Sequence, residues 1–302
     1  MAQWARHVFV LAAVAVLALA GCRKPDGAPA PQPPHPRIVS FSPALTDLLY
    51  QMNLGSHVVG VTSYCIPPAG ERPPVVGDRS RVSAEAILAV KPDLVLIQQN
   101  PADFGAVRSI DPRVRIEAFT IETLADVAAA IGRIGALTGT QDQAAAAGKA
   151  FEEKLSAVRR SVEKADRPKV LLLIDYDRPS TGGAGTFIDE MIQLAGGSNA
   201  AADRGYSGWK NLNRENIQAM APDVLICLTS AGQEQAALEH WRSFSDSPAV
   251  KANRVYVLTD RRWTIPSIRS ADFAAELAGM IQDWGLVGVR GKPIAARRSS
   301  VV

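Results

Sequence analysis

The fold is decided by a short unit that occurs twice in the sequence. It reads SAEAILAVKPDLVLI from Ser83 to Ile97 and NRENIQAMAPDVLIC from Asn213 to Cys227, 130 positions further along the chain. The residue types match in order as well as in spacing. This repetition predicts that the chain contains two copies of one fold.

Each copy of the unit is predicted to form a short helix followed by a buried strand. Ser83 and Asn213 are favoured N-cap residues, and apolar residues at helical spacing follow each of them. Pro92 and Pro222 then disfavour helical geometry in the residue before them. The runs DLVLI and DVLIC that follow are typical of strands buried on both faces.

Similar segments flank the two copies. Apolar runs precede and follow each unit, and an amphipathic segment that ends near glycine lies between the first run and the unit. Strands that alternate with helices at this spacing predict two α/β domains with mostly parallel sheets. The expected flanking strands lie at 37–41, 113–119, 169–174 and 254–259, and the expected helices at 46–56 and 188–198.

One long helix is predicted between the two domains. Residues 141–167 are rich in helix formers and carry Phe151, Leu155 and Val158 at helical spacing, and Pro168 follows as a stop signal. At 1.5 Å per residue the helix would reach roughly 37 Å, enough to run along both domains. A packed helix in this position would allow only a small hinge motion between them.

The overall composition is that of a globular protein with two lobes. The chain has 302 residues, of which 47% are hydrophobic and 21% are charged. We expect lobes at 37–140 and 168–290 and a basic tail at 291–302. The formal net charge of +3 is too small to indicate a nucleic-acid partner.

The N-terminus indicates export. Arg6 precedes the apolar run VFVLAAVAVLALA at 8–20, which is too short to span a bilayer comfortably. The run ends in LAGC, which resembles the bacterial lipoprotein box, and this resemblance implies a signal peptide at 1–21 and lipid attachment to Cys22. The alternative is an uncleaved anchor helix. Residues 22–36 are rich in proline and are expected to form the lipidated tether.

The two other cysteines are expected to be free thiols. Cys65 and Cys227 lie in different lobes, so a disulfide between them would have to cross from one lobe to the other. Cys227 also falls in a predicted buried strand, where it would serve as a small apolar side chain.

The order of these features resembles the helical-backbone solute-binding proteins of ABC importers. SFSPALTDLL, VGVTSY, AILAVKPDLVLI and NRENIQAMAPDVLI occur in that order, and the likeness covers nearly all of residues 37–283. Members of this family bind cobalamin, ferric siderophores, haem and metal ions. The cobalamin-binding members are the most similar, because of VGVTSY with a following proline pair, GWKNLNREN and LTDRRW.

The resemblance implies a function in transport without covalent chemistry. It implies two lobes with a ligand cleft between them, capture of cobalamin or a related corrinoid as cargo, no cofactor, and delivery to a permease dimer in the inner membrane. The protein would be an exported, lipid-anchored monomer on the periplasmic or outer side of a bacterial membrane. A ferric siderophore or haem is the alternative ligand.

Three aromatic residues are candidate ligand contacts. Tyr64, Trp209 and Trp263 fall on predicted loops at the ends of strands, where α/β sheets usually bind ligands. Their large flat rings would cover a macrocycle without ionic bonds. The alternative is that they are core aromatics at the ends of the lobes.

Arginines near the expected cleft complicate the choice of ligand. Arg79 and Arg81 precede the first repeated unit, where cobalamin binders of this type tend to carry a tryptophan, and Arg261 and Arg262 follow the last strand. Positive charges there would suit an anionic ligand such as a siderophore, a haem propionate or the phosphate of a corrinoid. The alternative is that these side chains are solvated on the surface.

Glu85 and Glu215 are candidates for docking to the permease. The family resemblance implies one surface glutamate on each lobe that contacts arginines of the permease, and these two positions match that pattern. Their alternative role is to stabilise the first turn of a helix.

An enzymatic function is the alternative from another class. Asp175 and Asp177 lie at the end of a predicted strand and would be an acid and base pair in a cleft enzyme. His57 and His240 lie in different lobes without a second ligand nearby, so no metal site is predicted. No motif for a catalytic triad accompanies the aspartates, which favours a structural role for them.

Overall fold

The computed structural model describes residues 36–78 and 81–282, which form two α/β lobes. The signal peptide, the tether up to residue 35 and the basic tail that the sequence predicts lie outside the described residues. Among the helices of the described residues, none has both the length and the apolar character that crossing a membrane requires.

The first lobe is built on a five-stranded sheet in which every pair of neighbours is parallel. The order across the sheet is β3-β2-β1-β4-β5. Its strands are β1 (Ile38–Ser40), β2 (Val58–Thr62), β3 (Val75–Gly77), β4 (Leu94–Ile97) and β5 (Arg115–Ala118), and its helices are α1 (Pro43–Gln51), α2 (Ala84–Ala89), α3 (Gly105–Ile110) and α4 (Leu124–Thr138).

The second lobe has a six-stranded mixed sheet in the order β11-β10-β6-β7-β9, with β8 also pairing with β6. After α5 (Gln141–Ser161), its strands are β6 (Lys169–Ile174), β7 (Ser180–Gly182), β8 (Ser198–Asn199), β9 (Trp209–Asn211), β10 (Val224–Leu228) and β11 (Val255–Leu258). Its helices are α6 (Phe187–Leu194), α7 (Ala200–Asp203), α8 (Arg214–Met220), α9 (Glu234–Arg242), α10 (Pro248–Lys251) and α11 (Ser270–Gln282).

The two antiparallel pairs of the second sheet depart from the expected parallel pattern. β7 runs antiparallel to β6, and β9 runs antiparallel to β7. Only the residues 175–179 connect β6 to β7. This connection is too short for the crossover that a parallel pair needs, so β7 has to return in the opposite direction.

The repeated unit folds as predicted in both lobes. The N-cap Ser83 accepts a hydrogen bond from the backbone N–H of Ala86 (3.2 Å) and begins α2, and Asn213 accepts one from Asn216 (2.8 Å) and begins α8. Lys91 and Ala221, which precede the repeated Pro-Asp step in each lobe, both have a positive φ, so both helices end in the same way. Every residue of β4 and β10 is buried, as expected for strands covered on both faces.

The hydrophobic core is continuous between the lobes. The inner faces of both sheets and the apolar face of α5 belong to one cluster, which includes Leu94, Phe151, Leu155, Val170 and Phe187. The outer face of each sheet has a separate cluster of its own. The inner faces of the two lobes therefore share one core, and the outer face of each sheet packs separately.

The linking helix is shorter than the sequence predicts. α5 ends at Ser161, six residues before the expected end at 167, and spans about 31 Å at 1.5 Å per residue. Val162 follows it as a buried residue that packs against Gly196 in the second lobe. Arg167 then donates a hydrogen bond to the carbonyl of Gly197 (2.9 Å). The helix ends early because contacts with the second lobe fix the chain that follows it.

Candidate functional site

The chain reverses its direction of winding between two neighbouring strands in each sheet. In the first sheet β1 lies between β2, which follows it in the chain, and β4. In the second sheet β6 lies between β7, which follows it in the chain, and β10. Ligands of open α/β sheets bind at the carboxyl ends of strands at such points. Each lobe therefore presents a candidate ligand edge, formed by the loops that follow its parallel strands.

Polar contacts join the two lobes. Arg269, which follows β11, donates from Nε to Oδ1 of Asp47 in the first turns of α1 (3.0 Å). The backbone N–H of Phe187 at the start of α6 donates to the carbonyl of Glu122, which follows β5 (2.7 Å). The segments that follow β1 and β5 in the first lobe therefore contact the segments that follow β11 and β7 in the second.

Tyr64 is exposed on the ligand edge of the first lobe. It lies in the loop after β2, and 57% of its surface is accessible. The next residue, Cys65, anchors this loop, because its sulfur lies 3.1 Å from Oγ1 of Thr46 and 3.2 Å from Oγ1 of Thr62. The tyrosine is thus held on the surface by a neighbour that packs inward.

Trp209 is exposed on the second lobe, close to the contact between the lobes. It begins β9 instead of lying in a loop, and 43% of its surface is accessible. Its ring centroid lies 6.0 Å from that of buried Phe187, whose backbone contacts Glu122 of the first lobe. Among the described residues, Tyr64 and Trp209 are the two large aromatic side chains with substantial exposure.

Trp263 lies in the core, contrary to its predicted place on the ligand surface. Only 2% of it is accessible, and its ring stacks on Phe273 of α11 with centroids 4.8 Å apart. The residue lies in a short 3-10 helix, Arg261–Thr264, that turns its side chain inward beneath α11. The alternative role as a core aromatic is the one that its packing supports.

Arg262 is held by a carboxylate of its own loop. Its guanidinium donates to both oxygens of Asp260, from Nε to Oδ1 at 2.8 Å and from one terminal nitrogen to Oδ2 at 2.7 Å. Burial acts to raise the pKa of Asp260, but the hydrogen bonds from Arg262 outweigh it, and the pKa of Asp260 falls below its ordinary value. The positive charge of Arg262 is therefore largely neutralised before any ligand binds.

The other predicted arginines are Arg79, Arg81 and Arg261. Arg81 and Arg261 are exposed. Arg79 lies outside the described residues. Asp47 and Arg269 were not predicted as a pair, because they are 222 positions apart and meet only where the lobes pack together.

Glu85 and Glu215 are exposed in the first turns of α2 and α8. Within the described part of the chain, neither carboxylate takes part in a hydrogen bond or an ion pair. They occupy equivalent positions of the repeated unit, one on each lobe. Both are therefore available to an external partner.

A separate open pocket of about 790 Å³ lies on the second lobe, next to α8. The loop after β6 contributes Asp175 and Asp177 to it, and α9 contributes His240. Burial, together with the nearby guanidinium of Arg214, lowers the pKa of His240, while Asp177 opposes the shift. Within residues 36–78 and 81–282, no group of three or more His, Cys, Asp or Glu residues has the arrangement of a metal site.

The two described cysteines are free thiols in different surroundings. Cys65 is half-buried in the loop that carries Tyr64, and Cys227 is fully buried in β10. Burial raises the pKa of the Cys227 thiol to about 11. Cys22, the predicted lipidation site, lies outside the described residues.

Comparison with known proteins finds similar proteins in several organisms. The uncharacterized ABC transporter substrate-binding lipoprotein YvrC of Bacillus subtilis (strain 168) is 29% identical over 255 residues, which cover 81% of this chain and 79% of that protein. The vitamin B12-binding protein of Salmonella typhi is 26% identical over 223 residues, which cover 72% of this chain and 82% of that protein.

Solved structures share the fold over nearly their whole length. The periplasmic heme-binding protein RhuT from Roseiflexus sp. RS-1, in its apo form, superposes with a TM-score of 0.73 at 27% identity, covering 83% of this chain and 99% of that one. A family model for periplasmic binding proteins matches residues 38–262. The match extends from β1 to the loop after β11 and so includes both lobes and the linking helix. The chain therefore belongs to the periplasmic binding protein family.

Proposed function

We propose that this protein is the substrate-binding component of an ABC importer and that it captures cobalamin or a related corrinoid. It binds the ligand in the groove between the lobes and delivers it, chemically unchanged, to a permease in the inner membrane. The B. subtilis relative is named as a substrate-binding lipoprotein of an ABC transporter and the S. typhi relative as a vitamin B12-binding protein, and both names support this assignment.

The exposure of Trp209 beside the boundary between the lobes is the observation that carries the ligand proposal. The indole is 43% accessible, so its ring is available to stack on a ligand that binds beside this boundary. Tyr64 offers a second accessible ring on the other lobe. Two accessible aromatic rings, one on each lobe, suit a large, flat and mostly uncharged ligand such as a corrin ring.

The pairing of two arginines with aspartates supports a corrinoid over a ligand with two negative charges. Arg262 is paired with Asp260, and Arg269 is paired with Asp47, so neither partly buried guanidinium is free to bind a carboxylate of the ligand. A haem with two ionised propionates would need such donors. The exposed Arg81 and Arg261 favour the alternative, a ferric siderophore or haem, because they lack these internal partners.

Titration of the intrinsic tryptophan fluorescence tests the ligand proposal. Cyanocobalamin, haemin and a ferric hydroxamate siderophore are added separately to the purified protein and to its Trp209→Phe variant. We expect saturable quenching by cyanocobalamin in the parent and weaker binding in the variant. Saturation by haemin or by the siderophore, without any by cyanocobalamin, would establish the alternative ligand class.

Glu85 and Glu215 are proposed to dock on arginines of the permease. The duplicated fold places one exposed carboxylate on each lobe, which matches two equivalent sites on a permease dimer with two-fold symmetry. Reversal of both charges, Glu85→Lys with Glu215→Lys, is expected to abolish uptake in the native host and to leave the affinity for cyanocobalamin unchanged. Normal uptake by the double variant would reject this docking role.

We propose that a lipid on Cys22 attaches the protein to the membrane. Signal peptidase would cleave before this residue, and the proline-rich tether would hold the lobes on the periplasmic or outer face of a membrane. Replacement of Cys22 by Ser is expected to release the protein into the soluble fraction after cell breakage. Retention of the variant in washed membranes would point to the uncleaved anchor helix instead.

The pocket on the second lobe favours the rival enzymatic function. It brings Asp175 and Asp177 near His240, whose pKa is lowered by burial and by the nearby Arg214. A neutral imidazole next to a carboxylate is able to accept a proton from a substrate. Recovery of cyanocobalamin unchanged after prolonged incubation supports transport, whereas turnover that is lost in Asp175→Asn or Asp177→Asn would support the enzyme.

A further inference from the structure

The N-terminus of α4 in the first lobe lies next to the N-terminus of α6 in the second lobe. Hydrogen bonds join the first turns of the two helices. The backbone N–H of Leu124, the first residue of α4, donates to Oε2 of Glu190 in α6 (2.5 Å). In return, the backbone N–H of Phe187, the first residue of α6, donates to the carbonyl of Glu122 just before α4 (2.7 Å). We call these four residues, Glu122, Leu124, Phe187 and Glu190, the interlobe clasp.

The clasp satisfies hydrogen-bond donors that each helix leaves unpaired. The first backbone N–H groups of a helix have no partner within it. In α4 the side chain of Thr123 accepts from the N–H of Asp126 (3.1 Å), and in α6 that of Thr186 accepts from the N–H of Asp189 (3.3 Å). The N–H group of the first residue in each helix is paired by the opposite lobe. Separation of the lobes would expose both of these groups without partners.

Glu190 is the charged member of the clasp, and its charge suits the position. A carboxylate at the N-terminus of a helix is stabilised by the helix dipole, and hydrogen bonds to an ionised acceptor are stronger than neutral ones. Glu190 is half-buried, and Leu124 and Phe187 next to it are buried, so water competes little for this bond. Glu190 therefore joins the two lobes through a short bond at a fixed geometry.

The clasp also determines where Trp209 lies relative to the first lobe. Phe187 is only 2% accessible and is fixed through its own N–H to Glu122. The Trp209 ring packs on Phe187 with a centroid distance of 6.0 Å. A change at the clasp would therefore shift the indole with respect to Tyr64, which lies on the opposite lobe.

We propose that Glu190 is a positioning residue that sets the spacing between the two lobes and, through Phe187, the place of Trp209. It contacts no ligand itself. The first part of this inference depends only on the contacts between the lobes, and its consequence for ligand affinity rests on the proposed function.

The test compares two carboxylates that cap the same helix from different sides. Glu190→Ala removes the cap on α4 that comes from the second lobe. Asp126→Ala is the matched control, because Asp126 caps the same helix from within the first lobe by accepting from the N–H groups of Glu122 and Thr123 (3.0 Å each). Glu190→Gln keeps an acceptor oxygen and serves as the conservative variant.

The distance between the lobes is measured with two nitroxide labels by double electron–electron resonance. Ile110→Cys on α3 and Arg242→Cys at the end of α9 provide exposed labelling sites, one in each lobe. Cys22 and Cys65 are replaced by Ser in the full-length background, and Cys227 is retained because it is fully buried.

Glu190→Ala and Asp126→Ala are expected to affect the distance distribution differently. Glu190→Ala broadens the distance distribution and weakens cyanocobalamin binding about tenfold, as expected for the loss of a hydrogen bond to a charged group. Glu190→Gln restores most of the parent distribution. Asp126→Ala lowers the melting temperature but leaves the distribution narrow.

Two results would overturn the inference. A distribution for Glu190→Ala that superposes on the parent would show that the clasp does not hold the lobes, and equal broadening by Asp126→Ala would assign the effect to the helix terminus in general. Failure of the parent to bind cyanocobalamin would reject the proposed ligand. The distance measurement without ligand would still decide the role of Glu190.

Discussion

At the scale of single residues, two tryptophans in similar sequence contexts differ in burial, one being exposed and the other buried. Trp209 and Trp263 both follow turn residues near the end of a strand, and both were predicted to face the ligand. β7 pairs with the strand of Trp209 and leaves its ring outside, whereas α11 covers Trp263. The difference arises from packing between distant segments, which no local pattern in the sequence records.

Replacement of these two tryptophans should therefore have opposite consequences. Trp209→Ala is expected to weaken cyanocobalamin binding by about 2 kcal/mol, since truncated aromatic anchors at binding surfaces typically cost this much. Its effect on folding should stay below about 1 kcal/mol because the ring is partly exposed. Isothermal titration calorimetry and urea denaturation measure the two quantities.

Trp263→Ala provides the comparison for that prediction. Removal of a buried, stacked indole is expected to lower the free energy of unfolding by about 3–5 kcal/mol. If Trp263→Ala weakened ligand binding without loss of stability, the residue would belong to the ligand surface after all. If Trp209→Ala bound cyanocobalamin as tightly as the parent, the proposed role of Trp209 would be wrong.

Cys227 gives a prediction for the dependence of stability on pH. Its thiol has an ordinary pKa of 9.0 in the unfolded chain and about 11 in the folded one. Between these values the unfolded chain loses a proton that the folded chain keeps, so stability is full below pH 9 and falls as the pH rises towards 11. The total loss, reached above pH 11, amounts to about 3 kcal/mol.

Urea denaturation at pH 8.5 and pH 10.5 measures this loss. The Cys227→Ala variant is the control, because it lacks the thiol and keeps the other groups that titrate in the same range. The parent is expected to lose more stability than the variant between the two pH values. An equal loss in both proteins would mean that the thiol titrates normally in the fold.

At the scale of elements, the repeated unit was predictable because its signals are local. An N-cap, an apolar face, a proline and a continuous apolar run lie within fifteen positions, and the structure follows them in both lobes. The end of α5 was not predictable in the same way. Helix formers continue past Ser161, but Val162 is drawn into a contact with Gly196, and the sequence around α5 does not contain that partner.

This contact between α5 and the second lobe can be tested at Gly196. It has a φ of +82°, and a Cβ added there would lie 2.9 Å from Cβ of Val162. Gly205 has a similar φ of +80° but no atom within 4 Å of such a Cβ, so Gly205→Ala reports the backbone strain alone. We expect a loss of about 1 kcal/mol for Gly205→Ala and at least about 2 kcal/mol for Gly196→Ala.

Chemical denaturation of both glycine variants gives the comparison. The excess loss in Gly196→Ala measures how tightly the end of the linking helix packs on the second lobe. Equal losses would indicate that Val162 moves away at little cost, and the early end of α5 would then need another explanation.

At the scale of the whole molecule, the shared core predicts that the lobes unfold together. One hydrophobic cluster includes residues of both sheets and of α5, and the interlobe clasp and the Asp47–Arg269 pair add polar contacts between the lobes. The sequence predicted the two lobes and the helix but not this continuity, because pairs such as Asp47 and Arg269 lie far apart in the chain. A continuous core restricts the groove to small changes in width.

Differential scanning calorimetry tests this cooperativity. We expect one transition whose calorimetric enthalpy equals its van't Hoff enthalpy. Leu155→Ala, which removes a buried side chain of α5, should lower the temperature of that transition without splitting it. Two separate transitions, in the parent or in the variant, would show that each lobe has a core of its own.

The central claim is that the groove captures one intact corrinoid, and a competition experiment tests it most directly. Purified protein is mixed with equal amounts of cyanocobalamin, haemin and a ferric hydroxamate siderophore and examined by native mass spectrometry. We predict one dominant complex whose added mass is that of a single unmodified cyanocobalamin. A dominant complex with haemin or with the siderophore, or no complex with cyanocobalamin at all, would contradict the claim.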